Sequence, residues 1–254
     1  MDYLSVSEAQ HQSGLRLALT RGVPGPWSEA AKAIFDLRGV TYQAVEQQGG
    51  RANPALIAWT GHRNAPIALY NDEPPRVRWL EILDLAERLG SGPSLLPDNV
   101  EARMLTVGLC NEIAGENGFA WNARMLMLNA GYQAQGDRVI EKNPMYREYQ
   151  YSEEKVSLAH TRVVEFLTLL ADRLHQQQEQ GSAYLIGHAL TVADAYWACF
   201  SNMLQSLPPE QNPMPDGLRD SWAVLANSID GYDEILIRHR DHIFATHLKL
   251  PLTF

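Results

Sequence analysis

Tyr184-Leu185-Ile186-Gly187-His188-Ala189-Leu190-Thr191-Val192-Ala193-Asp194 is the stretch whose reading decides the fold. Thr191 and Asp194 stand three apart at the head of an apolar run, the spacing of a capping box. In that box the Thr hydroxyl accepts from the Asp194 N–H while the Asp carboxylate returns to the Thr191 N–H. The helix it opens, Thr191 to Leu207, is apolar on nearly all sides, through Val192, Ala193, Ala195, Tyr196, Trp197 and Phe200. A helix of that kind has no face to give to water and belongs at the centre of a bundle. Its surroundings agree. Glu101 to Asn129 and Glu153 to Gln180 are periodic, too long and too poor in β-branched residues to be strands, and residues 222 to 248 add more helix. Residues 100–254 therefore read as an all-helical domain.

The first half changes period repeatedly. Leu15 to Thr20 is a short buried strand, followed by turn chemistry at Gly22, Pro24, Gly25 and Pro26. Ala31, Ile34, Phe35 and Arg38 recur at helical spacing, with Ser28 as the expected N-cap and Gly39 closing the helix. Val40 to Val45 is a second strand, Asn53-Pro54 opens a short helix ending at Gly61, and Ala65 to Tyr70 is a third strand entered through a proline. After Pro74-Pro75, and room for one more short strand, Val77, Leu80, Leu83 and Ala86 line a helix ending at Gly90. Order β-α-β, then α, β and α makes 15–90 an α/β domain with a parallel first pair. Residues 1–14 stand before it as an extension, and the Gly- and Pro-rich stretch 91–99 is the linker.

Composition narrows the class. Twenty-one Lys and Arg against thirty Asp and Glu leave a net charge of −9, which disfavours nucleic acid and anionic membranes as partners. No apolar stretch approaches the roughly 18 residues of a membrane helix. Cys110 and Cys199 lie in apolar helical patterns, neither a disulfide framework nor a zinc pattern, which fits a reducing, cytoplasmic setting. His239, His242 and His247 do not close a zinc spacing and read as packing and surface histidines; Glu112 and Glu116, four apart, read as a solvated pair. No metal site is expected.

The 184–194 segment closely resembles the one that opens the central helix in the α-domain of cytosolic glutathione transferases. The first half resembles their thioredoxin-like domain, with Ala65-Pro66 at the place of their cis-proline. The resemblance covers roughly residues 15 to 250. It implies a thioredoxin-like domain followed by an all-α bundle, glutathione as co-substrate, a small hydrophobic electrophile as second substrate, and a homodimer.

The chemistry implied is activation of a thiol. A thiol with a pKa near 8.5 is only about 3% ionised at pH 7, and lowering that pKa by two units takes roughly 2.7 kcal/mol. A helix N-terminus supplies about 0.3–1 kcal/mol, rising to about 2 when partly buried, and a hydroxyl donor roughly 1.5–3. In Ser- and Cys-type relatives the functional residue opens a four-residue motif, and the matching four here are Gly25-Pro26-Trp27-Ser28. Glycine in the first slot argues against thiol-transfer chemistry. The hydroxyl candidates are then Ser28 and, at the end of the first strand, Thr20; Trp27 is the motif's aromatic. Ala65 and Pro66 would present backbone groups to the cysteinyl unit. The family's acid-serine pair is replaced by Arg76-Val77-Arg78-Trp79, where Arg78 would clamp a terminal carboxylate and Glu73 would serve the amino group. The helix weakened by Gly115-Glu116-Asn117-Gly118 lines the second-substrate groove in relatives, which singles out Trp121, Arg124 and Met125. Three functions share these features: a transferase, a non-catalytic scaffold, and a glutathione-dependent lyase, isomerase or ether-cleaving enzyme.

Overall fold

The computed structural model describes residues Met1–Phe254. The chain forms two compact units: Met1–Leu95 with Pro208–Met214 and His247–Phe254, and Leu96–Leu207 with Pro215–Thr246.

Unit 1 runs α1 (Val6–Ala9), β1 (Leu15–Thr20), α2 (Pro26–Leu37), β2 (Gln43–Gln47), α3 (Pro54–Thr60), β3 (Ile67–Tyr70) and α4 (Trp79–Leu89). The sheet order is β2-β1-β3, with β1 parallel to β2 and antiparallel to β3. The expected extra strand is reduced to a single bridge, Ala68 with Arg76, closed by two backbone bonds of 2.8 and 2.9 Å. Pro74 and Pro75 offer the ladder no N–H, so pairing cannot extend back through them. The second strand begins at Gln43 rather than Val40. Gly39, at φ +69°, ends α2, and the Val40 N–H is tied back to Phe35 O at 2.9 Å.

The stretch read as an N-terminal extension is part of this unit. Leu4 exchanges 2.9 Å backbone bonds with Ala44 and Glu46 alongside β2, and Ser5 caps α1. Ala9 is sealed into a core cluster with Ala18, Val45, Leu56, Ile67 and Leu69. Arg16, buried on β1, ties the segment down by donating to Gln12 O and Asn71 O. The C-terminal residues, expected in the helical domain, also return here. Leu252 N–H donates to Gln211 O at 2.8 Å, Lys32 Nζ to Thr253 O at 2.6 Å, and Lys249 pairs with Asp36 at 2.9 Å.

Unit 2 contains α5 (Val100–Ala114), α6 (Phe119–Gln135), α7 (Arg138–Lys142), α8 (Met145–Glu148), α9 (Glu153–Glu179), α10 (Val192–Phe200), α11 (Asp216–Asn227) and α12 (Ile235–His247). The expected single helix over 101–129 is two. Asn117 turns at φ +62°, and a Cβ on Gly118 would come within 2.5 Å of Glu112 O, so only glycine permits the break. Every residue of α10 is buried, as its composition predicts. Asp194, fully buried, accepts from Thr191 N–H at 2.8 Å, Thr191 Oγ1 at 2.9 Å and Leu185 N–H at 2.7 Å, which fastens the 184–190 turn to the helix start. Trp197 anchors α12 by donating its indole N–H to Leu236 O at 3.0 Å.

Candidate functional site

The register of the sheet gathers one set of predicted residues and excludes another. β3 runs antiparallel to β1 with Ala18 opposite Ile67, so Ala65 enters beside the Thr20 end of β1. α2 starts after the turn that follows Thr20. The Ala68–Arg76 bridge also runs antiparallel, which carries the chain back toward Pro66 and delivers Arg78, the N-cap of α4, to the same end. Thr20, the α2 N-terminus, Ala65, Pro66 and Arg78 thus share one edge of unit 1.

Glu73 lies at the opposite edge, in the turn that follows Tyr70. Tyr70, whose carbonyl Glu73 N–H contacts, is five residues beyond Ala65, so at about 3.4 Å each that end of β3 lies roughly 17 Å from Ala65. Glu73 Oε2 is already held by Arg88 at 2.6 Å and Arg76 at 3.0 Å. The expected role at an amino group does not survive this placement.

Gly25, not Ser28, is the N-cap of α2, and Pro26 takes the first helical position. Proline is pre-set for that position and has no N–H to lose, which moves the helix start ahead of the serine. Ser28 falls in the first turn, 4% exposed, and neither its N–H nor its hydroxyl finds a partner in the chain. Trp27 precedes it, half-buried. Thr20 is differently placed. Its hydroxyl donates to Gln47 Oε1 at 2.8 Å, and Gln47 in turn donates to Arg63 O and Gln48 O. A hydroxyl has one proton to give, so Thr20 is a strand tie rather than a donor to a ligand. Gln47, buried between β1 and the loop before β3, was not visible as a site residue in the sequence.

The Ala65-Pro66 bond is cis, as the resemblance implied. Ala65 is half-buried, and its backbone groups make no hydrogen bond within the chain. The Arg78 guanidinium is exposed and forms no ion pair, while its N–H donates to Glu81 at 3.2 Å. In the first turn of α2, Glu29 and Lys32 form a buried pair at 2.7 Å. Burial pushes the Glu29 carboxyl above its ordinary value, and Lys32 opposes that shift.

In unit 2, Trp121 and Arg124 are half-buried on α6, but Met125 is buried in the core and offers a ligand no surface. Trp121 lies against Tyr149, ring centroids 4.3 Å apart. Of the histidines, His239 is buried with Nε2 3.1 Å from Asp194 Oδ1, whereas His242 is exposed near the Tyr184 ring. Glu112 pairs with Arg162 at 2.6 Å on the surface. Cys110 and Cys199 are both buried, and burial pushes the Cys110 thiol far up, leaving no reactive cysteine. No helix is long and apolar enough to cross a membrane.

No protein-family model matches the sequence, and no curated protein matches it by sequence. Solved structures do match the fold. The beta-etherase LigF from Sphingobium sp. strain SYK-6 superposes with a TM-score of 0.64 at 16% identity, covering 92% of this chain and 96% of that one. A glutathione S-transferase domain-containing protein from Marinobacter aquaeolei VT8 gives 0.63 at 15% identity, over 92% and 100%. A glutathione S-transferase from Methylobacterium radiotolerans JCM 2831, solved in complex with glutathione sulfonate, gives 0.59 at 15% identity, over 92% of each chain. With a thioredoxin-like unit led by a cis-proline strand and a helical unit built around a capped, fully buried helix, the chain has the glutathione transferase fold.

Proposed function

We propose that unit 1 binds reduced glutathione and activates its thiol for reaction with a second substrate. The observation that carries this reading is Ser28: a residue only 4% exposed, at the positive end of a twelve-residue helix, whose hydroxyl and N–H bond to nothing in the chain and whose hydroxyl is not sealed from a ligand. Both point to a negatively charged acceptor from outside the chain, and a thiolate is such a group. Ala65 then pairs with the cysteinyl backbone and Arg78 holds a terminal carboxylate. Fold neighbours solved with glutathione or glutathione sulfonate support the choice of tripeptide.

The sulfur does not pass through a protein disulfide in this scheme. Position 25 is glycine and both cysteines are buried, so the chain holds no nucleophilic thiol of its own. The thiolate of glutathione attacks the electrophile directly, in a conjugation, an ether cleavage or an isomerisation. A homodimer is part of the same reading, supported by the apolar residues Val100 and Met104 on α5 and Leu158 and Leu169 on α9, all more than half exposed.

Calorimetric titration with reduced glutathione tests the proposal. Saturable binding at micromolar to low-millimolar concentration is expected. Absence of heat at two temperatures, which excludes an accidental zero enthalpy, would leave the fold as a scaffold and withdraw the roles given to Ser28, Ala65 and Arg78.

A further inference from the structure

The segment joining α6 to α9 is folded back onto α6 by three tyrosines. Tyr146 donates its hydroxyl to Leu128 O at 2.6 Å, and Tyr151 donates to Asn129 Oδ1 at 2.8 Å. Gly131 makes the first contact possible, since a Cβ there would stand 2.8 Å from the Tyr146 hydroxyl oxygen. Between these two anchors Tyr149 is laid against Trp121.

Arg124, one helical turn from Trp121, approaches the Tyr149 hydroxyl. Burial raises the Tyr149 pKa and Arg124 opposes the rise; the net shift is upward, so the phenol stays neutral at physiological pH and is no counter-ion for the guanidinium. Arg124 Nε is sealed from solvent without an acceptor, and no carboxylate pairs with Arg124. Apart from the neutral Tyr149 hydroxyl, the half-buried Arg124 guanidinium has its Nε sealed without an acceptor, which leaves its charge open to an anionic group.

We propose that Arg124, Tyr149 and Trp121 form a recognition site for an aryl carboxylate, the guanidinium taking the carboxylate while the half-exposed Trp121–Tyr149 pair takes the ring. As a statement about the second substrate this rests on the function proposed above. It replaces a purely hydrophobic electrophile by an anionic aromatic one. A guanidinium presents two parallel donors to a carboxylate, and an aromatic pair offers ring contact, so each part of the ligand has a matched partner.

The test uses the full chain and two probes of one shape, naphthoate and neutral naphthamide, titrated calorimetrically, with reduced glutathione titrated separately. Naphthoate should bind about tenfold or more tighter than naphthamide, the scale of one charge-assisted contact. Arg124→Met should remove that preference while leaving naphthamide affinity within about threefold, and Tyr149→Phe should preserve the preference. If Arg124→Met does not fold, Arg124→Lys keeps the charge without the planar fork and should cut the preference severalfold. Equal binding of the two probes, no binding of either, or a preference that persists in Arg124→Met would overturn the site. Glutathione binding without naphthoate preference defeats this inference alone. Naphthoate preference without glutathione binding defeats the glutathione reading and leaves the site standing.

Discussion

Replacing Ser28 by alanine separates a thiol donor from a structural residue, because the two roles predict opposite pairs of results. In the folded chain the Ser28 hydroxyl bonds to nothing, so its removal breaks no contact. Alanine is also the better helix former by up to about 0.5 kcal/mol, and stability should stay level or rise slightly. A capping serine would instead cost about 1 kcal/mol on replacement. At the site the sign reverses. A hydroxyl donating to a thiolate is worth about 1.5–3 kcal/mol, and each pKa unit is about 1.4 kcal/mol, so the bound thiol should rise by about 1–2 units. The helix N-terminus remains in the variant and keeps the rest of the depression. Ultraviolet absorbance of the thiolate, followed against pH with glutathione saturating, gives the pKa, and urea denaturation gives the stability. A bound-thiol pKa that does not move, together with a stability loss near 1 kcal/mol, would refute the donor role.

Further predictions follow from buried groups. Asp194→Ala removes the acceptor for Leu185 and Thr191 and the carboxylate 3.1 Å from the buried His239, and should cost about 3–5 kcal/mol, seen as a thermal midpoint lower by roughly 6–20 °C. Gly118→Ala drives a Cβ to within 2.5 Å of the Glu112 carbonyl oxygen and should cost about 1–3 kcal/mol by urea denaturation. Tyr3 carries a buried hydroxyl without a partner, its pKa pushed up to about 12 mainly by burial; Tyr3→Phe should be neutral or stabilising by about 1 kcal/mol, and a clear loss would show a missed contact. The Glu29 carboxyl is raised above its unfolded value, so the folded state holds that proton longer than the unfolded one. Its contribution is therefore most favourable below the ordinary carboxylate pKa and declines as pH rises through the raised one. Urea midpoints from about pH 4 upward should accordingly move in favour of Glu29→Gln relative to the unsubstituted chain; a constant gap would contradict the raised pKa.

Much of the architecture was legible in sequence because it is encoded in short-range spacing. Leu15 to Thr20 forms a strand over those same residues, the Thr191–Asp194 box opens a helix buried on every side, and Ala65-Pro66 is cis where the resemblance placed it. The strand and the capped helix depend on neighbours one to four positions away, where residue type and period suffice, whereas the cis bond was expected only from the resemblance. The glycines at 115 and 118 were recognised as weak points, and only the approach of the Asn111 and Glu112 carbonyls made them a break.

Site chemistry was less legible, because it depends on which groups already have partners. Ser28 and Thr20 looked equivalent as hydroxyl donors. Tertiary pairing gives the Thr20 proton to Gln47, twenty-seven residues on, and leaves Ser28 unbonded. Glu73 looked close to Arg78 in sequence, yet an antiparallel turn sends them to opposite ends of β3. Met125 and Arg124 are adjacent in the chain, but one helical step buries the first and leaves the second half-exposed beside Tyr149, a residue no local pattern singled out. Sequence alone determined the elements, their order and the capped central helix. Only the tertiary structure decided which donors and charges remain available to a ligand, since a proton or counter-ion is claimed by whatever lies closest in space.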